Sequence, residues 1–401
     1  MRRRIFMLSA LSGLGLFSWA AAAENEKPAE PAKEAAKQPA AKPAEKPKSA
    51  ETPQKPPLSQ EMTALRDAMR RVLTQYFHQP INTGDNTPAD VMAFCLAYGA
   101  DGEIRYGNSA GTAMNGIGCL CWNYPCAGYQ LLLADGNQII ARVGYGFQEQ
   151  PSELLAILAQ ATVPASYEVR VGQVRATVAD LVRYEQLDCR EGMVLAGKLI
   201  GMSHYVSNGD TWKNRLGETW SVERLLQEEL GRSSKNDRSD ATDRLMAISY
   251  ALDRQKRLKK PIEGPYAAAQ KHLDEYIEYA LKLQNPEGPW HPLFFVARGG
   301  SNDWVGSVRA TGHILEWLVF TLSDDRLQDP RTVKAATWLV NALDQYGNQW
   351  NAAQSSSRET NAIGHALHAL RLYDRRVFKP YDRNQPEAEK ETPAPAGEVR
   401  P

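Results

Sequence analysis

The chain has 401 residues, and its 47 Lys and Arg residues balance its 47 Asp and Glu residues, so the formal net charge at pH 7 is zero. A balanced charge provides no electrostatic basis for binding nucleic acid, and we expect no nucleic-acid partner. Hydrophobic residues make up 43% of the sequence, which places the chain among globular proteins with a sizeable core.

The first residues have the pattern of a signal peptide over 1–23. Arginines at 2–4 form a positively charged start, an apolar stretch covers 5–20, and three alanines at 21–23 supply a small-residue cleavage site. We therefore predict an exported protein, periplasmic or secreted. The alternative is an uncleaved segment that stays in the membrane, and we expect a membrane partner only in that case.

A folded domain is predicted between two segments of low hydrophobicity. Residues 24–57 contain no apolar side chain beyond Ala and Pro, and such a composition cannot bury enough surface to offset the entropy of ordering. The sequence after 380 has a similar composition. We predict a disordered linker over 24–58, a helical domain over 59–380 and a disordered tail over 381–401.

Helical patterns dominate the predicted domain. Asp329 before Pro330 is typical of an N-cap followed by a first-turn proline, and Ser152 and Ser221 precede acidic first turns in the manner of capping hydroxyls. The predicted helices cover 60–77, 88–99, 112–121, 151–162, 177–188, 192–206, 220–231, 240–256, 265–284, 306–322, 330–345 and 358–373.

Two short β patterns interrupt the helices. Apolar residues flank an Asp135-Gly136 turn within 129–143, which predicts a β-hairpin, and a second hairpin is predicted around Gly172 within 167–177. The fold class predicted from these patterns is all-α, with paired helices and a small inserted β-hairpin.

The later helix pairs share a degenerate repeat that ends in a loop with Gly and then Trp, at 209–212, 284–290 and 346–350. In the fullest instance Gln284 is followed by an acidic residue, Gly288, one further residue and Trp290. This order resembles the QW-type repeat of the α/α-toroid superfamily, which includes terpenoid cyclases, protein prenyltransferase β subunits and thioester domains of macroglobulins. The chain also resembles a group of exported bacterial proteins of this type.

The resemblance implies an (α/α)6-like toroid, in which Gln and Trp tie a helix end to the next hairpin and Gly makes the turn. The catalytic motifs of the superfamily are not matched. Asp324-Asp325 is not the Asp-x-Asp-Asp of terpenoid cyclases and is interpreted as a solvated loop, and Gly118-Cys119 lacks the Glu-Gln of a thioester site. A fold by itself does not transfer a function.

Three of the five cysteines, Cys119, Cys121 and Cys126, lie within eight residues of one another. Three thiolates at this spacing are able to hold Zn²⁺ with Cys95, Cys189 or a histidine as fourth ligand. A disulfide and a set of buried small apolar side chains are the alternatives. We expect no other cofactor.

A second candidate site combines His313, Glu316 and His365. His313 and Glu316 are three residues apart, so they share one face of a predicted helix, and His365 has the same relation to His368. In the toroid superfamily the N-termini of inner helices face a central cavity. These residues are therefore candidate catalytic residues for acid/base chemistry, or ligands for a metal, and the alternative is packing between helices.

Two functions follow from the sequence. The first is a binding module that presents a concave surface to a glycan or protein partner in the cell envelope. The second is a carbohydrate-active lyase or hydrolase that uses the central cavity, with Tyr or Trp as sugar platforms. Four carboxylates are candidates for the second function: Glu218, Asp243, Asp303 and Glu316.

Overall fold

The computed structural model describes residues 58–207, 209–232 and 239–378, except for the side chains of residues 239 and 240. The chain divides into the units Met1–Pro56 and Pro57–Pro401, and all described residues belong to the second. The predicted signal peptide over 1–23 and the predicted tail over 381–401 lie outside the described residues, as does the predicted linker apart from Leu58.

The described residues form twelve α-helices, each of which overlaps one predicted helix. Ten of the twelve predicted starts lie within two residues of the observed ones; those of α3 and α6 do not. The helices are α1 Gln60–Phe77, α2 Pro88–Tyr98, α3 Gly116–Cys121, α4 Glu153–Gln160, α5 Val178–Leu187, α6 Ala196–Tyr205, α7 Val222–Gly231, α8 Ser239–Arg257, α9 Gly264–Leu283, α10 Trp304–Thr321, α11 Pro330–Gly347 and α12 Ser357–Val377.

Two of the three predicted caps are confirmed. Asp329 accepts a hydrogen bond from the backbone N–H of Arg331, and Ser221 accepts one from the backbone N–H of Arg224. The predicted cap at Ser152 is wrong. Its backbone is left-handed, with a φ of 67°, and its hydroxyl donates to the carboxylate of Glu185 at 2.7 Å instead of accepting from the first turn of α4.

The strands form two-stranded antiparallel sheets, and both predicted hairpins are confirmed. They are β3 Leu132–Asp135 with β4 Gln138–Ala141 and β5 Glu168–Val171 with β6 Val174–Thr177. Two further hairpins were not predicted: β1 Glu103–Arg105 with β2 Ala113–Asn115, and β7 Thr211–Lys213 with β8 Thr219–Ser221. The helix predicted from residue 112 is therefore wrong in its first turn, which is strand β2.

The loop predicted at 209–212 as a repeat turn is also corrected. It leads into β7, where Trp212 pairs with Trp220 across the hairpin. At 284–290, by contrast, the side chains of the motif bond to helix ends. Nε2 of Gln284 donates to the carbonyls of Gly288 and Arg331, at 2.7 and 2.8 Å, and Nε1 of Trp290 donates to the carbonyl of Ala280 at 2.7 Å. This turn therefore joins the end of α9 to the start of α11.

Helix contacts follow a regular order. The even-numbered helices touch one another in sequence order, α2 with α4, α4 with α6, α6 with α8, α8 with α10 and α10 with α12, and α12 contacts α2. Each odd-numbered helix packs against an even-numbered neighbour. The even-numbered helices α2 and α10 are apolar and buried around most of their circumference, whereas α7 and α11 bury one face only.

Candidate functional site

All six even-numbered helices contribute to the lining of one cavity. Each of these helices supplies at least one lining side chain. In the order α2, α4, α6, α8, α10 and α12, examples are Leu96, Ala156, Ile200, Met246, Arg309 and Asn361. The cavity offers a volume of about 100 Å³ to the centres of water-sized molecules. It therefore has room for several waters or for one group of a small polar ligand.

The three predicted site residues come together at this cavity. His313 and Glu316 lie on α10 and His365 lies on α12, and all three belong to its lining. The close approach of the two helices depends on Gly312, because a Cβ atom at that position would lie 2.8 Å from the backbone nitrogen of Ala366. The glycine before His313 thus lets the two helices bring their polar side chains together.

Glu316 links two imidazole rings. Nδ1 of His365 donates to Oε2 of Glu316 at 2.6 Å, and Nδ1 of His368 donates to Oε1 at 2.8 Å. The ring of His313 stacks on the ring of His365 with 3.6 Å between centroids and 22° between planes. One buried carboxylate thus orients two imidazoles, and a third ring packs against one of them.

The charges of this cluster are mutually dependent. Burial opposes ionisation of Glu316, but the imidazoles of His365 and His368 outweigh it, so the pKa of Glu316 lies well below its ordinary value. Burial likewise lowers the pKa of His365, and the Glu316 carboxylate reverses this into a net rise. Burial and the neighbouring His365 hold the pKa of His313 well below its ordinary value. An ionised Glu316, a protonated His365 and a neutral His313 are therefore favoured together.

His313 has an unsatisfied polar atom. The side chain is buried, and within the part of the chain that the structure describes its Nε2 makes no well-aligned hydrogen bond, although the side chain of Asn361 lies close to the ring. Its Nδ1 lies 3.4 Å from the hydroxyl of Thr242 and 3.7 Å from a carboxylate oxygen of Asp243. Because buried polar atoms are nearly always paired in folded proteins, an unsatisfied nitrogen at a cavity wall indicates a place for a ligand.

Glu153, which was not predicted as a site residue, lines the same cavity from the first turn of α4. Burial raises its pKa to about 7, assisted by the negative charges of Glu149 and Asp243 and opposed by a hydrogen bond from the backbone of Glu149. A carboxyl group with such a pKa exchanges protons readily near neutral pH. In the sequence this residue is indistinguishable from an ordinary first-turn acid.

The remaining predicted carboxylates have different places. Asp243 lines the cavity, but Glu218 accepts hydrogen bonds from Asn214 and Trp220 near the β7–β8 turn, and Asp303 caps α10. None of the lining residues within the described chain is Phe, Tyr or Trp. The predicted sugar platforms are therefore absent from this cavity.

The cysteines form a separate buried group. The sulfur atoms of Cys119 and Cys126 lie 3.6 Å apart, and all five cysteines are buried free thiols. Burial raises the pKa of Cys121 to about 12, so this thiol is not poised as a nucleophile. The predicted zinc site at Cys119, Cys121 and Cys126 stays a prediction.

Within the described chain, the one group of three or more His, Cys, Asp or Glu side chains with the closeness of metal ligands is His313, Glu316 and His365. One ligand atom from each lies within 4.8 Å of the others. The cysteines do not form such a group.

Comparison with known proteins gave no counterpart, because no family model, no curated protein and no solved structure matches the chain significantly. None of the described helices is long and apolar enough to cross a membrane. A function for the chain must therefore be inferred from the cavity itself.

Proposed function

We propose that the twelve helices form an (α/α)6 toroid, with the even-numbered helices inside and the odd-numbered helices outside. The cyclic order of contacts among the even-numbered helices supports this arrangement, since α12 returns to α2. The hydrogen bond of Gln284 to the carbonyl of Arg331 supports it as well, because it joins the end of α9 to the start of α11, as the QW-type turn requires.

Within this toroid, we propose that the central cavity is the active site of an enzyme that uses general acid/base chemistry, a hydrolase or a lyase. The observation that carries the proposal is the buried carboxylate of Glu316, which orients two imidazoles at a cavity that also contains Glu153. Burying a charged cluster costs free energy that packed apolar side chains would not. Such clusters are typical of functional sites.

The roles follow from the chemistry of each group. Glu153, with a pKa of about 7, is the side chain that gives or takes the proton of the reaction. Glu316 fixes the orientation of His365 and keeps it charged, so that His365 stabilises negative charge that develops on the substrate. Arg309, paired with Glu149 at 3.5 Å, adds positive charge at the same wall.

The lining limits the substrate. The lining combines apolar residues such as Ala156 and Ile200 with charged residues such as Glu153 and Arg309. A small group with one polar edge fits this mixture better than a sugar ring held by aromatic stacking. Export remains part of the proposal, so the substrate is the end or side group of a cell-envelope glycan or protein.

A module that only binds a partner is the competing function. A binding surface has no need of a carboxyl group that titrates near neutral pH inside a cavity, and Glu153 is such a group. The same carboxyl group therefore provides the variant that separates the two functions.

The test is a turnover screen of the purified full chain on cell-envelope polysaccharides, their oligosaccharides and peptides, followed by mass spectrometry of the products. We expect wild type to convert at least one substrate, and Glu153→Gln to lower its turnover by about 10²- to 10⁴-fold. Glu218→Gln, which alters a carboxylate outside the cavity, should match wild type. A ligand that binds wild type and Glu153→Gln equally and is never converted would establish the binding module instead.

A further inference from the structure

We infer that His313, Glu316 and His365 form a binding site for one divalent transition-metal ion, with Zn²⁺ as the best match. The inference rests on the same cavity as the proposed function and names its cofactor: the ion replaces the proton on His365 and supplies the positive charge assigned there to that imidazole. It begins from geometry, because one nitrogen of each histidine and one oxygen of Glu316 lie within 4.8 Å of one another.

The second nitrogen of His313 is an independent observation. This buried Nε2 makes no well-aligned hydrogen bond within the described chain, although the side chain of Asn361 lies close to the ring, so the nitrogen is available to an ion. Binding to a metal ion satisfies such a nitrogen. Asp243, with a carboxylate oxygen 3.7 Å from Nδ1 of His313, adds a negative charge beside the ligand set.

The hydrogen bond between His365 and Glu316 occupies the position that the ion would take. Its 2.6 Å length is that of a charge-assisted hydrogen bond, whereas two ligand atoms on a tetrahedral zinc lie ~3.3 Å apart, given zinc–ligand bonds of ~2.0–2.1 Å. The two side chains therefore need to separate by less than ~1 Å as the ion replaces the proton between them, and the ring of His313, which stacks on that of His365, has to rotate so that a nitrogen of each ring faces the ion.

A supporting partner for the ligand set is already in place. His368 donates to the other carboxylate oxygen of Glu316 at 2.8 Å and is itself buried, so it holds the carboxylate in position without contacting the cavity. Hydrogen bonds of this kind orient metal ligands and raise their affinity. Two imidazoles and one carboxylate, with a fourth position open to the cavity, form a ligand set that zinc accepts readily.

The experiment measures bound metal on the purified full chain, stripped with a chelator and titrated with Zn²⁺ in competition with a coloured chelator. We expect wild type to bind one zinc ion per chain, and His313→Ala and His365→Ala to bind it at least ~100-fold more weakly. Glu316→Gln, which preserves side-chain volume, should weaken binding as well. Thermal melting in metal-free buffer identifies any variant that fails to fold.

Two control variants exclude the other candidate ligands. His272 lies on α9, and its Nε2 is also buried without a hydrogen-bond partner within the described chain, so His272→Ala should bind zinc as wild type does. The double variant Cys119→Ser, Cys126→Ser should also retain the ion. Zinc that survives in His313→Ala but is lost from the cysteine variant would place the metal at the thiols and overturn the inference, as would a wild-type chain that binds none.

Failure of this inference and failure of the proposed function give different results. Glu153→Gln should bind zinc with wild-type affinity, because Glu153 is outside the ligand set, but its turnover should be about 10²- to 10⁴-fold lower. An active wild type that binds no zinc would reject the metal site alone. A wild type that binds zinc at these residues but converts no substrate would reject the proposed function alone.

Discussion

The turn after α9 and the cavity beside α10 are both rich in buried polar atoms. The polar atoms of the turn are hydrogen-bonded, whereas the cavity leaves one nitrogen poorly bonded and shifts the pKa of a carboxyl group. In the turn, Nε1 of Trp290 and Nε2 of Gln284 each donate to backbone carbonyls, and the side chain of Asn285 exchanges two hydrogen bonds with the backbone of Gly299. In the cavity, Nε2 of His313 makes no well-aligned hydrogen bond within the described chain, and the pKa of Glu153 is raised to about 7.

This difference separates stability from function. Paired polar atoms fix a unique geometry, and they stabilise the joint between α9 and α11. Unpaired atoms and a displaced pKa reduce stability, so they persist only where another requirement maintains them. Changes in the turn should therefore lower stability, and changes in the cavity should leave it unaltered or raise it.

Trp290→Ala is expected to have the largest effect on stability. Trp290 is fully buried, and removal of a buried Trp side chain costs about 3–5 kcal/mol, to which the lost hydrogen bond to Ala280 adds. Denaturant unfolding measures the change in the free energy of unfolding. The control is Trp122→Ala, at a side chain that is 42% exposed, for which the loss should stay below ~1 kcal/mol. Equal losses in the two variants would contradict the structural role of the turn.

Glu153→Gln should stabilise the protein at alkaline pH. The pKa of Glu153 is about 7 in the folded chain and 4.5 in the reference state, so the folded chain holds this proton more tightly. Wild type therefore loses stability as pH rises from 4.5 through 7, and the variant, which cannot ionise, does not. Its advantage should be near zero below pH 4.5 and reach up to ~3 kcal/mol above pH 7.

Thermal or denaturant unfolding of both chains at a series of pH values measures this advantage. Glu218→Gln, at a carboxylate outside the cavity, serves as the control. A Glu153→Gln chain that parallels wild type across the whole series would show that Glu153 titrates normally.

The smallest expected effect compares two replacements by leucine, both in metal-free protein. Gln284→Leu removes the amide group that donates hydrogen bonds to two backbone carbonyls. We expect the free energy of unfolding to fall by about 1–3 kcal/mol. His313→Leu removes an unsatisfied nitrogen from a buried position and should change stability by less than ~1 kcal/mol. Denaturant unfolding of the two variants in parallel measures the change in the free energy of unfolding. A larger loss for His313→Leu than for Gln284→Leu would contradict the contrast between turn and cavity.

Local patterns were sufficient to predict all twelve described helices and two of the hairpins. Capping residues and an Asp-Gly turn act within a few positions, so their effect is visible in the sequence. The hairpins over 103–115 and 211–221 were missed because their strands are only three residues long and alternate too briefly to give a period. Ser152 was misassigned because its hydroxyl pairs with Glu185, which lies on α5.

The site was predictable in part. His313, Glu316 and His365 were identified from helical spacing and from the toroid resemblance, and the structure brings them together. The role of Glu153 was not predictable, since its raised pKa depends on burial and on the charges of Glu149 and Asp243. The sequence did contain a signal for the close approach of these helices. Gly312 precedes His313 and Gly364 precedes His365, and helices that approach each other closely need small residues.

By itself, the sequence determined where helices begin and end and which titratable residues share one helix face, because hydrogen bonds and periodicity act over one or two turns. Only the tertiary structure decided which faces meet, because the stacking of His313 on His365 and the bridge through Glu316 join positions about fifty residues apart. Desolvation also depends on all surrounding elements at once. A common first-turn glutamate on α4 thus becomes, in the folded chain, the carboxyl group that titrates near neutral pH.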